Sequence, residues 1–281
     1  MRNSAWHLAF RSAPVCSNSF RVTNGGQGNL VPMPRLKKLA LATGLYRPAR
    51  LLKRAVMPSE RAYFRAGVAF YSQFVRPGDL CFDIGAHIGA KTEMLLALGA
   101  SVVSVEPQPE LVREVIARGS HCGSKSIVIE GAVSEQVGTA TLHLREGSVL
   151  ASLLPDWEGN PNGEIEVNVT TLDSLIAQYG MPQFLKIDAE GSESQILRGL
   201  SHRVPIMTVE YHCNDRCVAL ARESVSLLCQ FGSIEINATG EEEHTLLFPT
   251  WLTPETFLER FPECVAPHSY GDMIVRAIMS R

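Results

Sequence analysis

Apolar positions along this chain fall into short runs with two periods, and their alternation predicts an open α/β sheet. Between Leu80 and Glu106 the sequence reads LCFDIGAHIGAKTEMLLALGASVVSVE. An apolar run ends at Asp83, and a turn passes through Gly85 and Gly89. Apolar residues then recur at helical spacing (Met94, Leu95, Leu98), and a second run, Val102 to Val105, ends at Glu106. The order is strand, turn, helix, strand, half of a nucleotide-binding sheet with an acid on the second strand's tip. Upstream, Pro58-Ser59 opens a helix over 59–74 that Arg76-Pro77-Gly78-Asp79 ends. Downstream, helical patterns over 109–118, 172–179, the stretch up to about Leu200, and 217–230 alternate with strand patterns at 126–129, 184–188, 206–211 and 233–236.

Two segments break that rhythm. Residues 139–144 (TATLHL) and 165–171 (IEVNVTT) alternate in period two and predict a half-exposed hairpin or add-on. The last apolar run, 272–278, has no helical pattern after it, which fits a final strand inserted antiparallel into a mostly parallel sheet. Residues 59–281 therefore read as one Rossmann-like α/β domain. Segments 146–163 and 238–270 carry no readable pattern.

Composition changes this picture mainly at the N-terminus. The first 59 residues hold ten Lys and Arg and no acid, whereas the whole chain has 26 basic and 29 acidic residues, so the domain itself is acidic. Residues 1–32 are rich in Ser, Asn and Gly and lack periodicity, as expected of a leader that is a presequence, a disordered arm or an overlong start. Residues 33–58 form a basic, weakly amphipathic segment, read as a solvated helix packed on the domain. Hydrophobic residues make up 45%, ample for a core, yet no apolar run reaches the length of a membrane span. Seven scattered cysteines do not make a disulfide framework and point to a reducing, cytoplasmic setting. Nothing calls for a nucleic-acid partner, and oligomeric state is not legible.

The first turn lacks the GxGxxG spacing that brings backbone amides onto a pyrophosphate. Asp83 stands where a phosphate would lie and would repel it. An acid there suits a nucleoside carrying an amine and a positive sulfur, so the cofactor suggested is S-adenosyl-L-methionine. Glu106, a carboxylate with several acceptor sites, is placed to take the hydroxyls of its ribose.

Five motifs, in order, resemble those of the FkbM family of methyltransferases: DIGAHIG at 83–89, VEPQPE at 105–110, GAVSE at 131–135, TLDSL at 171–175 and FLKIDAEGSESQILRG at 184–199. The resemblance covers about residues 60–278 and rests most on the KIDAEG block. It implies a seven-stranded class I methyltransferase fold that uses S-adenosyl-L-methionine, usually to methylate a hydroxyl of a small molecule or sugar. His87 departs from the family's usual GANIG turn, where Asn stands.

The strand tips of such a sheet gather the candidate site. Asp83, with Thr92, is expected to organise the turn Gly85–His87–Gly89 and the cofactor's methionine end. Ala132 and Val133 offer backbone and apolar contact to adenine. Lys186, Asp188 and Glu190 form a KxDxE pattern that, on a strand, would share one face. Asp188 is expected at the cofactor and as one candidate base for an alcohol acceptor, and His212 is the other. His212, Cys213 and Cys217 supply too few ligands at usual spacing, so no metal is expected. Trp157 reads better as a packing residue than as a cover for the pocket. Two rival functions stand beside methyl transfer: a nicotinamide-linked oxidoreductase on a similar sheet, and a binding protein on a methyltransferase-like domain without turnover.

Overall fold

A computed structural model describes residues 35–145, 151–157, 159–212, 215–241, 243–265 and 269–278. Three helices come first: α1 (Arg35–Ala42), α2 (Tyr46–Val56) and α3 (Pro58–Tyr71). The alternating part follows as β1 (Leu80–Ile84), α4 (Ala90–Ala97), β2 (Ser101–Glu106), α5 (Pro109–Gly119) and β3 (Ser126–Glu130). Then come β4 (Ala132–Val133), β5 (Gly138–Arg145), β6 (Pro161–Thr170), α6 (Leu172–Tyr179), β7 (Phe184–Ile187) and α7 (Glu193–Arg198). The chain closes with β8 (Ile206–His212), α8 (Asp215–Cys229), β9 (Ile234–Gly240), α9 (Pro254–Val265) and β10 (Tyr270–Ala277).

Seven strands form one sheet in the order β3-β2-β1-β7-β8-β10-β9. Strand β10 runs antiparallel to both β8 and β9, and the other pairings are parallel. The expected mostly parallel sheet with an antiparallel last strand is what the chain adopts. Strand polarity explains the burial: parallel strands covered on both faces read as near-continuous apolar runs. Alternate residues then divide between two cores. Phe82, Val103 and Leu185 pack with α6 to α9 on one face. Cys81, Val102 and Phe184 pack with Phe70, Tyr71, Met94 and Leu95 of α3 and α4 on the other.

The period-two segments pair as β5 and β6, antiparallel from Gly138↔Val169 to Arg145↔Pro161, and short β4 joins β6 to complete a second sheet. Helix α9, in a segment without readable pattern, was not expected. Its signal is short: Thr253 accepts the Thr256 N–H as an N-terminal cap, and Pro254 takes the first helical position. The expected leader, 1–32, lies outside the described residues, as does Cys213. Among the described residues no helix is long and apolar enough to cross a membrane.

The sheet order reverses at β1, whose neighbours β2 and β7 lie on opposite sides. Crevices at such a switch point, off the carboxyl ends of the strands, hold ligands in open α/β sheets. Here the crevice is a cavity of about 260 Å³ roofed by the second sheet, with Leu142 of β5 and Leu153 beyond it among its walls.

Candidate active site

The first turn shapes one wall of this cavity. Gly85 has φ +72°, and a Cβ there would lie 1.7 Å from the Asp188 carbonyl oxygen, so the β1 turn and the β7 loop touch backbone to backbone. Lys186 donates to the Gly85 carbonyl at 2.7 Å. His87 takes a left-handed conformation (φ +49°), and its N–H donates to Glu106 Oε2 at 2.8 Å. Gly89, at φ +77°, caps α4 and turns the chain close against Val115 of α5.

Glu106 is 3% exposed and lies at the tip of β2 on the cavity wall. Its Oε1 accepts the Gln108 N–H at 2.9 Å, so each carboxylate oxygen holds one backbone amide and keeps further acceptor capacity. Burial pushes its pKa up to about 7 against the pull of those two N–H groups. Ala132 and Val133, on β4, line the same cavity with Val105. A buried carboxylate with spare acceptor capacity thus lies beside an apolar slot.

Asp83 and Thr92 stand behind the wall. Asp83 is fully buried, accepts the Thr92 hydroxyl at 2.5 Å and pairs with Lys186 at 3.2 Å. Neither Asp83, Thr92 nor Gly89 is among the cavity's lining residues, which include Gly85, His87, Glu106, Ala132, Val133 and Asp188. Asp83 holds the loop from beneath.

The opposite wall is crowded with acids. Strand β7 ends at Ile187, so Lys186 alone of the KxDxE pattern is on the strand. Glu190 is left-handed (φ +51°), which breaks the extended spacing; the three charged residues do not share a strand face as expected. Lys186 is buried beneath the loop and pairs with Asp188 at 3.1 Å. Burial opposes its charge, but the Asp188 and Asp83 carboxylates outweigh this and hold its pKa above the ordinary lysine range. Burial would likewise raise Asp188, yet Lys186 and a hydrogen bond from Glu210 keep it below the usual carboxylate range. Asp188 is therefore an ionised, pinned acceptor and a weak base.

Its neighbours are driven the other way. Burial and then the Asp188 charge push Glu190 up to about 8, and burial pushes Glu193 up to about 7. Glu210 is raised by burial and by Asp188, Glu190 and Glu193. His212 Nε2 lies 3.2 Å from Glu210 Oε2 and 3.6 Å from Glu190 Oε2. Its ring meets the Trp157 ring edge-on at 4.8 Å.

Trp157, read from sequence as an ordinary packing residue, packs against Gly191 and donates from Nε1 to Glu190 Oε2 at 3.2 Å. It thus joins the acid cluster. Glu210 went unnoticed in the sequence, although its place two residues before His212 on a strand puts both on one face. Among the described residues, Glu190, Glu210 and His212 bring one ligand atom each within 4.8 Å of one another, close enough to share a cation. The sequence-derived set differed, since it joined His212 to Cys213 and Cys217; nothing of the Cys217 side chain is described.

The sequence model of the FkbM methyltransferase domain matches residues 83–232. A curated relative, 31-O-demethyl-FK506 methyltransferase FkbM of Streptomyces tacrolimicus, is 29% identical over 64% of this chain and 80% of its own length. Solved structures with similarity include precorrin-6y C5,15-methyltransferase of Geobacter metallireducens GS-15, 10% identical over 76% of this chain and 87% of that one, at TM-score 0.41. Aeropyrum pernix fibrillarin, with natively bound S-adenosyl-L-methionine, is 9% identical over 76% of this chain and 75% of its own, also at TM-score 0.41.

Proposed function

We propose, for a chain that belongs to the FkbM methyltransferase family, a transfer of methyl from S-adenosyl-L-methionine to a hydroxyl group of a small molecule or sugar. The observation that carries this reading is a single cavity with Glu106 on one wall and His212 on the other. The family match sets aside the nicotinamide-linked alternative. Bound cofactor supplies an electrophilic methyl group, so the protein's contribution is to bind, orient, exclude water and take a proton.

Glu106 would accept the ribose hydroxyls, and Ala132 and Val133 would flank adenine. The amide of His87 and the Lys186 bond to Gly85 fix the turn between them. For the proton, His212 is the better base. Asp188 is held ionised by Lys186 and is a weak base, whereas the His212 imidazole lines the same cavity and is of the residue type suited to proton uptake near neutral pH. Asp188 would orient the hydroxyl. His212 would take the acceptor's O–H proton, and the cofactor, when bound, would supply the methyl group that the acceptor oxygen gains.

A radiolabelled methyl-transfer assay with a panel of hydroxyl acceptors tests this. The product should be an ether, stable to mild alkali, and His212→Asn should lower its formation by about 10²- to 10⁴-fold, as for loss of a general base. Asp188→Asn should also weaken cofactor binding. An alkali-labile product would mean a carboxyl acceptor, and a fully active His212→Asn variant would remove the base assigned here.

A further inference from the structure

A second cavity, of about 510 Å³, lies between α2, α3 and the first turn of α4, and shares His87 and Asp188 with the first. Its side chains have an unusual balance. Arg54 pairs with Glu93 at 2.7 Å, Arg118 pairs with it at 3.0 Å, and Arg50 approaches it at 3.5 Å. Three guanidiniums share one carboxylate, which leaves two positive charges unmatched. Lys53 has its own partner in Glu60 at 2.5 Å.

Two donors are also orphaned. The Nε atoms of Arg50 and Arg118 are buried and have no hydrogen-bond partner, and Arg118 is 3% exposed. The same Nε state recurs at Arg145 and Arg203 outside this cavity, so it is the surplus of charge, and not these donors, that marks the site. Guanidinium forks match phosphate oxygens in geometry as well as charge.

We propose that this cavity binds a phosphate-type dianion carried by the methyl acceptor. The inference rests on the methyl-transfer reading for the word acceptor; the anion site stands on its own residues. The cofactor's methionine end is the competing source of an anion, but it is a zwitterion whose ammonium cancels its carboxylate. A surplus of two positive charges is matched instead by a phosphate monoester, which carries about −1.5 to −2 at neutral pH. An acceptor anchored here reaches the methyl-transfer cavity across His87 and Asp188, the residues common to both.

Calorimetric titration of the full chain with sodium phosphate at fixed ionic strength, with and without saturating S-adenosylhomocysteine, decides the matter. Expected is saturable phosphate binding that persists when S-adenosylhomocysteine is bound. Arg50→Gln should weaken phosphate binding by about tenfold or more, the scale of a lost charge-assisted contact, and leave S-adenosylhomocysteine affinity unchanged. Absence of saturable binding would overturn the proposal. So would mutual exclusion of the two ligands, which would assign the arginines to the methionine carboxylate. If Arg50→Gln fails to fold, the two wild-type titrations still decide. If S-adenosylhomocysteine does not bind at all, the cofactor reading falls, and the phosphate titration still judges the anion site.

Discussion

Two non-glycine residues with positive φ among those described, His87 and Glu190, both line the cavity. Left-handed backbone at such residues persists only where surroundings hold it, and it gathers at functional sites. Glu190 is held by Ser152, whose hydroxyl donates to its carbonyl at 2.6 Å, and by Trp157. Gly191 makes that hold possible: it has φ +91°, and a Cβ would stand 2.2 Å from the Trp157 ring. Gly191→Ala should therefore push Trp157 off Glu190 and His212, lowering methyl transfer by about tenfold or more, because misplacing a catalytic group by about 1 Å can cost up to 10²-fold. S-adenosylhomocysteine affinity should change little. A variant with normal transfer would show that Trp157 does not position the cluster. Glu106 was legible in the sequence because a strand-tip acid needs only the strand to be found. Glu210 and the true course of Glu190 were not, since one left-handed residue reverses the direction of a side chain without changing the pattern of residue types.

At the scale of elements, the buried parallel strands and amphipathic helices were readable because each carries its own period. Strand β10 was readable from its apolar run at 272–278, and it lies antiparallel between β8 and β9. Helix α9 was not, because its cap, Thr253-Pro254, sits in a segment without a clean apolar stripe and Pro262 lies inside the helix. The basic helix α2 shows why charge alone misleads. Its composition suggests a solvated face, yet Arg50 and Arg54 turn inward to Glu93 on α4, and Tyr46 is buried with its hydroxyl donating to Glu114 of α5 at 2.6 Å. Partners this far apart in sequence (Tyr46 and Glu114) leave no local signature.

For the molecule as a whole, the cavity carries an electrostatic cost. Glu106, Glu190, Glu193 and Glu210 all hold protons more tightly folded than unfolded, with the first three raised to about 7, 8 and 7 from an ordinary value of 4.5. Between about pH 4.5 and 8 the unfolded chain has released these protons and the folded protein has not, so folding stability falls as pH rises. Asp188 acts oppositely at lower pH, where its depressed pKa is crossed, and His87, whose pKa burial lowers, opposes the trend only up to its ordinary value of 6.5. One fully linked group contributes about 1.4 kcal/mol per pH unit, and for a chain of this size 1 kcal/mol shifts the melting temperature by about 2–4 °C. The cofactor-free protein should thus lose at least a few degrees of melting temperature from pH 5.5 to 8. A flat or rising profile would show that the cluster is not desolvated as described.

In the proposed function, Glu106 at the tip of β2 holds an adenosine-bearing cofactor. Calorimetric titration of S-adenosylhomocysteine into the wild-type chain and Glu106→Ala, both at pH 8 where the carboxylate is ionised, tests this. One-to-one binding is expected in the wild type, weakened in the variant by about 1.5–3 kcal/mol, the worth of hydrogen bonds to a charged group. No binding in the wild type, or equal affinity in the variant, would remove Glu106 from a cofactor site.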